Sequence, residues 1–318
     1  MPDLDTITDA LIYAQGRGAM PTSLGTAELR ELGAEVLARS VFTAKGTNAV
    51  FVGMLQKFLN ELAAGRASEG QVRTALAQLL DVLGYDAEAG GFPGEELEPA
   101  VAGSLQDLRS FRRRDLIVRT QRDLMAGAGQ KMRGSDPARL RAFPAWELVR
   151  DIGVEDARDW EARWTLAGGR TEPRADAYRQ VGARTNMIAL KGDPVWGELG
   201  ASGNFSDALD VDHPPFCFNS GMGWREVSAA EVRAAGITGP AGEDVESFLQ
   251  SRPVTLTGPQ ELPRPQISLK TVPPEVVEEF KKETGAVETK PYVFTYDDIL
   301  KRALQRSAAE RAQRGGGQ

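Results

Sequence analysis

The side chains best suited to nucleophilic or metal chemistry are the only histidine and the only cysteine of the chain, His213 and Cys217. A cysteine–histidine catalytic pair would have to use both of them. They lie four residues apart on one proline-rich segment, and two residues on one such loop rarely form a working pair. One cysteine also excludes an intramolecular disulfide. Together with a single histidine, it excludes a Cys/His zinc site built by one chain.

No other complete catalytic set is present in the sequence. It contains no Walker loop, no dinucleotide fingerprint, no His-Glu-x-x-His motif and no nucleophile elbow. Glycine-rich pieces such as Gly168-Gly169 lack the strand–turn–helix context that a phosphate cradle needs. We therefore predict a protein that is not an enzyme, with no catalytic, cofactor-binding or metal-binding residues.

A run of arginines is the second group that could do chemistry. It lies on a long helix predicted from Ser104, capped with Asp107, to about Met132. Because the guanidinium fork suits phosphate and carboxylate alike, the run indicates contact with nucleic acid or with an acidic partner. It is equally typical of a solvated helix face, since neighbouring aspartates partly neutralise it. The arginines are Arg109, Arg112, Arg113, Arg114, Arg119 and Arg122.

Length and composition indicate which class of protein carries these residues. The chain has 318 residues, 41% hydrophobic and 26% charged, which is typical of globular proteins and long enough for two domains. No apolar run approaches the roughly 18 residues of a membrane-spanning helix. The N-terminus lacks the features of a signal peptide, so we expect synthesis in the cytoplasm. A net charge of −7 argues against a protein devoted to wrapping nucleic acid.

Residues 1–142 are predicted to form a mainly helical domain. Thr26 is expected to cap a helix to about Arg39, and Thr47 or Asn48 a second helix that ends at Gly65. Ser68 and Gln71 form a capping box for a third helix, which Gly84 ends. Residues 85–103 are rich in glycine, proline and acidic residues, and they predict an exposed loop that is either a linker or a partner contact.

Residues 143–236 are predicted to form a small α+β domain. Strands are expected at 145–149, 187–190 and 224–227, with short helices at 156–166 and from Ser228, capped with Glu231, to about Ala235. Residues 213–216 are expected to be rigid and extended because each proline restricts its own φ and the residue before it. The aromatic residues expected to hold this unit together are Trp196, Phe216, Phe218 and Trp224.

Residues 237–318 differ in composition from the preceding domain. Six prolines punctuate residues 237–273, which predicts a linker or an extended arm. Pro274 is expected at the first position of one helix, and Thr295 with Asp298 is expected to cap a final helix from Tyr296 to Arg314. The predicted fold class is α+β: a helical N-terminal domain, a small α+β domain and an extended C-terminal arm with helices.

The order of these elements resembles a known family. The sequence MIALKGDPVW, followed by ALDVDHPPFCFNSGMGWREV, resembles the C-terminal part of phage Mu F-like head morphogenesis proteins. The stretch 112–132, with Arg119-Thr120 and Ala126-Gly127, is similar to the long helix of that family. Residues 143–164 and 41–65 resemble its next strand and its helical half, so that the resemblance covers roughly residues 25–236.

The resemblance implies a set of structural signature residues and one departure. Many members of the family end the domain with a Pro-Pro segment followed by a histidine and cysteine cluster. This chain has only His213 and Cys217 beside its prolines and so departs from that cluster. The signature residues are Asp193, Trp196, Pro214, Pro215, Phe216 and Trp224.

The family implies a structural minor head protein of a tailed phage or prophage. Such a protein is expected in the virion, in a few copies near the portal or inner capsid, and to act in head assembly and in DNA packaging or delivery. The implied partners are portal and capsid proteins, with DNA as a further candidate. No cofactor, membrane or small-molecule substrate is implied.

Two functions from other classes remain as alternatives. Mu F-like domains also carry toxin domains, so residues 237–318 could belong to an effector, although they show no catalytic set. Alternatively, the helix that bears Arg109 to Arg122 could bind nucleic acid, which predicts DNA retention that weakens steeply with salt.

Overall fold

The computed structural model describes residues 14, 17–20, 22, 29, 40–94, 98–154, 157–170 and 182–252, together with the backbone of three short strands between residues 266 and 295. The fold class is α+β, as predicted. The chain divides into a helical unit, Leu11–Arg122 with Pro259–Gln318, and a sheet unit, Asp123–Gly258 with Met1–Ala10. The domain boundaries proposed from the sequence, after residues 142 and 236, stay predictions.

Two helices with the predicted caps form much of the helical unit. Helix α1 is Ala49–Ala63, and the side chain of Asn48 accepts a hydrogen bond from the backbone N–H of Phe51. Helix α2 is Glu69–Val82, and the predicted Ser68–Gln71 capping box is confirmed. Two short parallel strands, β1 (Gly18–Ala19) and β2 (Ser40–Val41), accompany them. The buried core includes Phe51, Leu55, Leu59, Leu76 and Leu80.

The long helix α3 spans Phe111–Gly134, so the predicted start at Ser104 is wrong. Local side-chain hydrogen bonds explain the difference, because they offer the backbone an alternative to the helix. The Asp107 carboxylate accepts from the backbone N–H groups of Gly103 and Arg109, each at 2.8 Å. Three successive turns span residues 101–110, and the helix begins only after Ser110, whose carbonyl accepts from the N–H of Arg114.

The loop 85–103 is less exposed than predicted. Tyr85 and Phe92 are buried, with ring centroids 5.0 Å apart in an edge-to-face arrangement. Asp86 and Gly91 exchange two backbone hydrogen bonds of 2.8 Å and close the loop on itself. The two aromatic rings therefore anchor a segment that composition alone indicates to be solvated.

A three-stranded antiparallel sheet organises the sheet unit. The central strand β3 (Ala145–Arg150) pairs with β4 (Ile188–Leu190) on one side and with β5 (Met222–Val227) on the other. All three strands were predicted, and the Ser228–Glu231 capping box of α7 is confirmed. Besides the end of α3, the helices of the described part of this unit are α4 (Pro137–Ala142), α5 (Trp160–Leu166), α6 (Val195–Gly200), α7 (Ala229–Ala234) and α8 (Val245–Ser251).

Several expectations for the sheet unit are wrong. Residues Pro137–Ala142, for which we expect a connection from the sequence, form helix α4, because Asp136 accepts hydrogen bonds from the N–H groups of Ala138 and Arg139. Helix α5 begins at Trp160 rather than Asp156, and α8 lies within the predicted linker. Residues 213–216 form a turn rather than an extended stretch. The Pro214–Pro215 peptide bond is cis, and Phe216 has a φ of 61°.

Near the C-terminal end lie three strands that the sequence analysis does not predict. They are β6 (Gln266–Ser268), β7 (Glu288–Lys290) and β8 (Val293–Thr295), in the antiparallel order β6-β8-β7. The helices predicted to begin at Pro274 and at Tyr296 lie outside the described residues, as does the helix predicted from Thr26 to Arg39 apart from Leu29. Over the described residues, no helix combines the length and apolarity needed to cross a membrane.

The first prediction concerns Gly127 in α3. A Cβ added there would overlap the carbonyl oxygen of Pro214 and lie 2.8 Å from Nδ1 of His213. We expect Gly127→Ala to lower the free energy of unfolding by about 2 kcal/mol or more, because backbone overlap outweighs the gain of roughly 1 kcal/mol in helix propensity. Urea titration followed by tryptophan fluorescence measures the change.

Gly197→Ala is the matched control, because Gly197 also lies in a helix of the sheet unit and no atom lies within 4 Å of its added Cβ. It should leave the stability unchanged or raise it. Equal stabilities of the two variants would show that α3 does not approach the Pro214 carbonyl closely.

Candidate functional site

The central feature of the sheet unit is a stacked pair of tryptophans on one face of the sheet. Side chains alternate along β3, so that Trp146 and Leu148 face one side and Ala145, Glu147 and Val149 the other. Trp224 of β5 lies opposite Leu148, diagonally from Trp146. The two indole rings stack with centroids 3.8 Å apart and an angle of 7° between their planes.

Trp196 closes this pair from the side. Its ring meets Trp146 and Trp224 edge-on, with centroids 6.0 and 5.2 Å apart. Its indole N–H donates to the carbonyl oxygen of Leu190 at 2.9 Å, which anchors α6 to β4. Asp193 starts the turn into α6 by accepting from the N–H of Val195 at 3.0 Å, and burial raises the pKa of this carboxyl.

The structure brings the predicted signature residues together and adds three tryptophans that the sequence analysis missed. Phe216 lies 5.8 Å from Trp224, and Pro214 and Pro215 are buried beside it. Trp160 and Trp164 of α5 and Trp146 of β3 complete the cluster, while Phe218 is only half-buried. The i, i+4 spacing of Trp160 and Trp164 on a helix was the signal for two of them.

The opposite face of the sheet carries a buried carboxylate. Glu147 has no solvent exposure and accepts hydrogen bonds from Nε of Arg225 and from the backbone N–H groups of Arg184 and Thr185. Arg225 also donates to Glu231 of α7 at 2.8 Å. One carboxylate therefore holds β3, β5 and the segment before β4 together.

A second ion-pair centre lies on the tryptophan face around Glu226. Arg139 of α4 donates to both oxygens of Glu226 at 2.9 and 2.8 Å, and Lys191 donates at 2.8 Å. The Lys191 ammonium also donates to the carbonyl of Gly134 and lies 5.2 Å from the Trp146 ring centroid. Burial opposes ionisation of Glu226, but hydrogen bonds from Arg139 and Lys191 hold its pKa below the usual value.

Cys217 and His213 are both buried. Burial raises the pKa of the Cys217 thiol to about 11, which leaves it protonated at neutral pH. Nδ1 of His213 lies 2.8 Å from the carbonyl oxygen of Pro214. Cys217 therefore lacks both the thiolate form and the solvent access that a nucleophilic cysteine needs.

The six arginines predicted as a contact surface lie along and just before α3, and five of them bind groups of the helical unit. Arg113 donates to Thr43 at 2.7 Å, and Arg114 donates to the carbonyl oxygen of Arg73 at 2.8 Å. Burial lowers the pKa of Arg113. Arg112 is exposed. The ion pairs of the others are Arg109–Asp81, Arg119–Asp115 and Arg122–Glu69.

Comparison of the chain with protein-family models, curated proteins and solved structures finds no match. Over the described ranges, no group of three or more His, Cys, Asp or Glu residues could hold a metal ion. What the site presents is a buried aromatic cluster with an ion-pair centre on each face of one sheet.

The second prediction concerns the buried carboxylate. Glu147→Gln leaves Arg225 without its fully buried anion, and we expect a loss of about 3 kcal/mol in the free energy of unfolding. Glu231→Gln is the matched variant, because Glu231 pairs with the same arginine but is partly exposed, and glutamine preserves its capping box. It should cost less than about 1 kcal/mol. Equal losses in urea titrations would contradict the dominant role of Glu147.

The third prediction concerns the thiol. Because Cys217 is buried and burial raises its pKa to about 11, iodoacetamide at pH 8 should alkylate the folded chain much more slowly than the denatured chain. The denatured chain is the control, and its rate should follow an ordinary thiol pKa of about 8.5. Fast labelling of the folded chain at pH 8 would show that the thiol is accessible and ionised.

Proposed function

We propose that the chain is a structural minor head protein of a tailed phage or prophage, similar to the Mu F-like head morphogenesis proteins. It would act in head assembly and in DNA packaging or delivery, near the portal, as a component of the virion. Its proposed architecture is a helical domain over residues 1–142, a Mu F-like domain over 143–236 and a C-terminal arm over 237–318.

One observation supports this proposal above the others. The residues that carry the resemblance lie within 143–164 and 184–227. They are distant in sequence, but they pack into one buried cluster around β3. Trp146 and Trp164 come from the first stretch, and Trp196, Phe216 and Trp224 from the second. A single core shared by both stretches is what the resemblance implies for this part of the chain.

The chemistry of the cluster supports a role that is not enzymatic. The Glu226 carboxylate beside the cluster is paired with Arg139 and Lys191. The Lys191 side chain has no solvent exposure, and the Cys217 thiol is buried and protonated. Buried packing and ion pairs of this kind favour one rigid conformation, which suits a component of an assembly.

The nucleic-acid alternative gains less support from the described residues. Arg113 and Arg114 donate to groups of their own unit, and Arg122 pairs with Glu69. Three of the six arginines are thus turned to structural partners rather than offered as a phosphate-binding face. The chain also carries a net charge of −7.

The experiment that tests the proposal is co-expression with portal and major capsid proteins from the same genome, followed by gradient sedimentation. We expect the chain to sediment with these proteins at a substoichiometric level. Gly127→Ala, which should destabilise the sheet unit, is expected to reduce this retention, whereas Gly197→Ala should not. A wild-type chain that stays in the supernatant as a monomer would overturn the proposal.

A further inference from the structure

We draw no further inference here: the strongest candidate, the basic turn of residues 43–47 at the start of α1, where Arg113 donates to Thr43 and to the carbonyl oxygen of Ala44 and Lys45 pairs with Glu98, is a helix N-terminus whose cations already bond to the protein, and nothing in the described part of the chain points to a ligand there.

Discussion

The sheet unit depends on the pairing of one fully buried carboxylate, Glu147, with Arg225 on the neighbouring strand. A buried charge is costly unless it is paired and fully hydrogen-bonded, and here two backbone N–H groups complete the set. This requirement also fixes the register. A slip of β3 by one residue would turn Glu147 into the tryptophan cluster and Trp146 away from it, because strand side chains alternate between faces. Glu147 thus specifies which face of the sheet the aromatic residues occupy.

With that register fixed, the two faces take different roles. One face packs the stacked pair Trp146 and Trp224 against Trp196, and α3 approaches this side so closely that Gly127 meets the Pro214 carbonyl. The other face packs Val227, Val232 and Phe248 and receives α7 and α8. Both faces of a small sheet are therefore buried, and Glu147 and Glu226 each hold several elements together.

The parts of this arrangement that depend on residues close together in the sequence can be predicted from the sequence. Capping boxes at Ser68 and Ser228 and the alternating strand at Trp224 depend on neighbours within a few residues, and the structure confirms them. The start of α3 was predicted wrongly, because the Asp107 side chain binds the backbone before the helix can begin. The partners of Glu147 could not be predicted, because Arg225 lies 78 residues away and nothing in its local sequence indicates the pairing. Likewise, helical spacing placed the arginines of α3 on one element but could not show that Arg113 and Arg114 bind their own unit.

The most direct measurement of the proposed role is quantitative mass spectrometry of purified phage particles from a host that carries this gene. A minor head protein predicts that the chain is present in intact particles at far fewer copies than the major capsid protein, and that it stays with the heads after the tails are removed. Absence of the chain from particles that contain portal and capsid proteins would contradict the role. It would leave the buried tryptophan cluster and its ion pairs as the core of a protein with a different function.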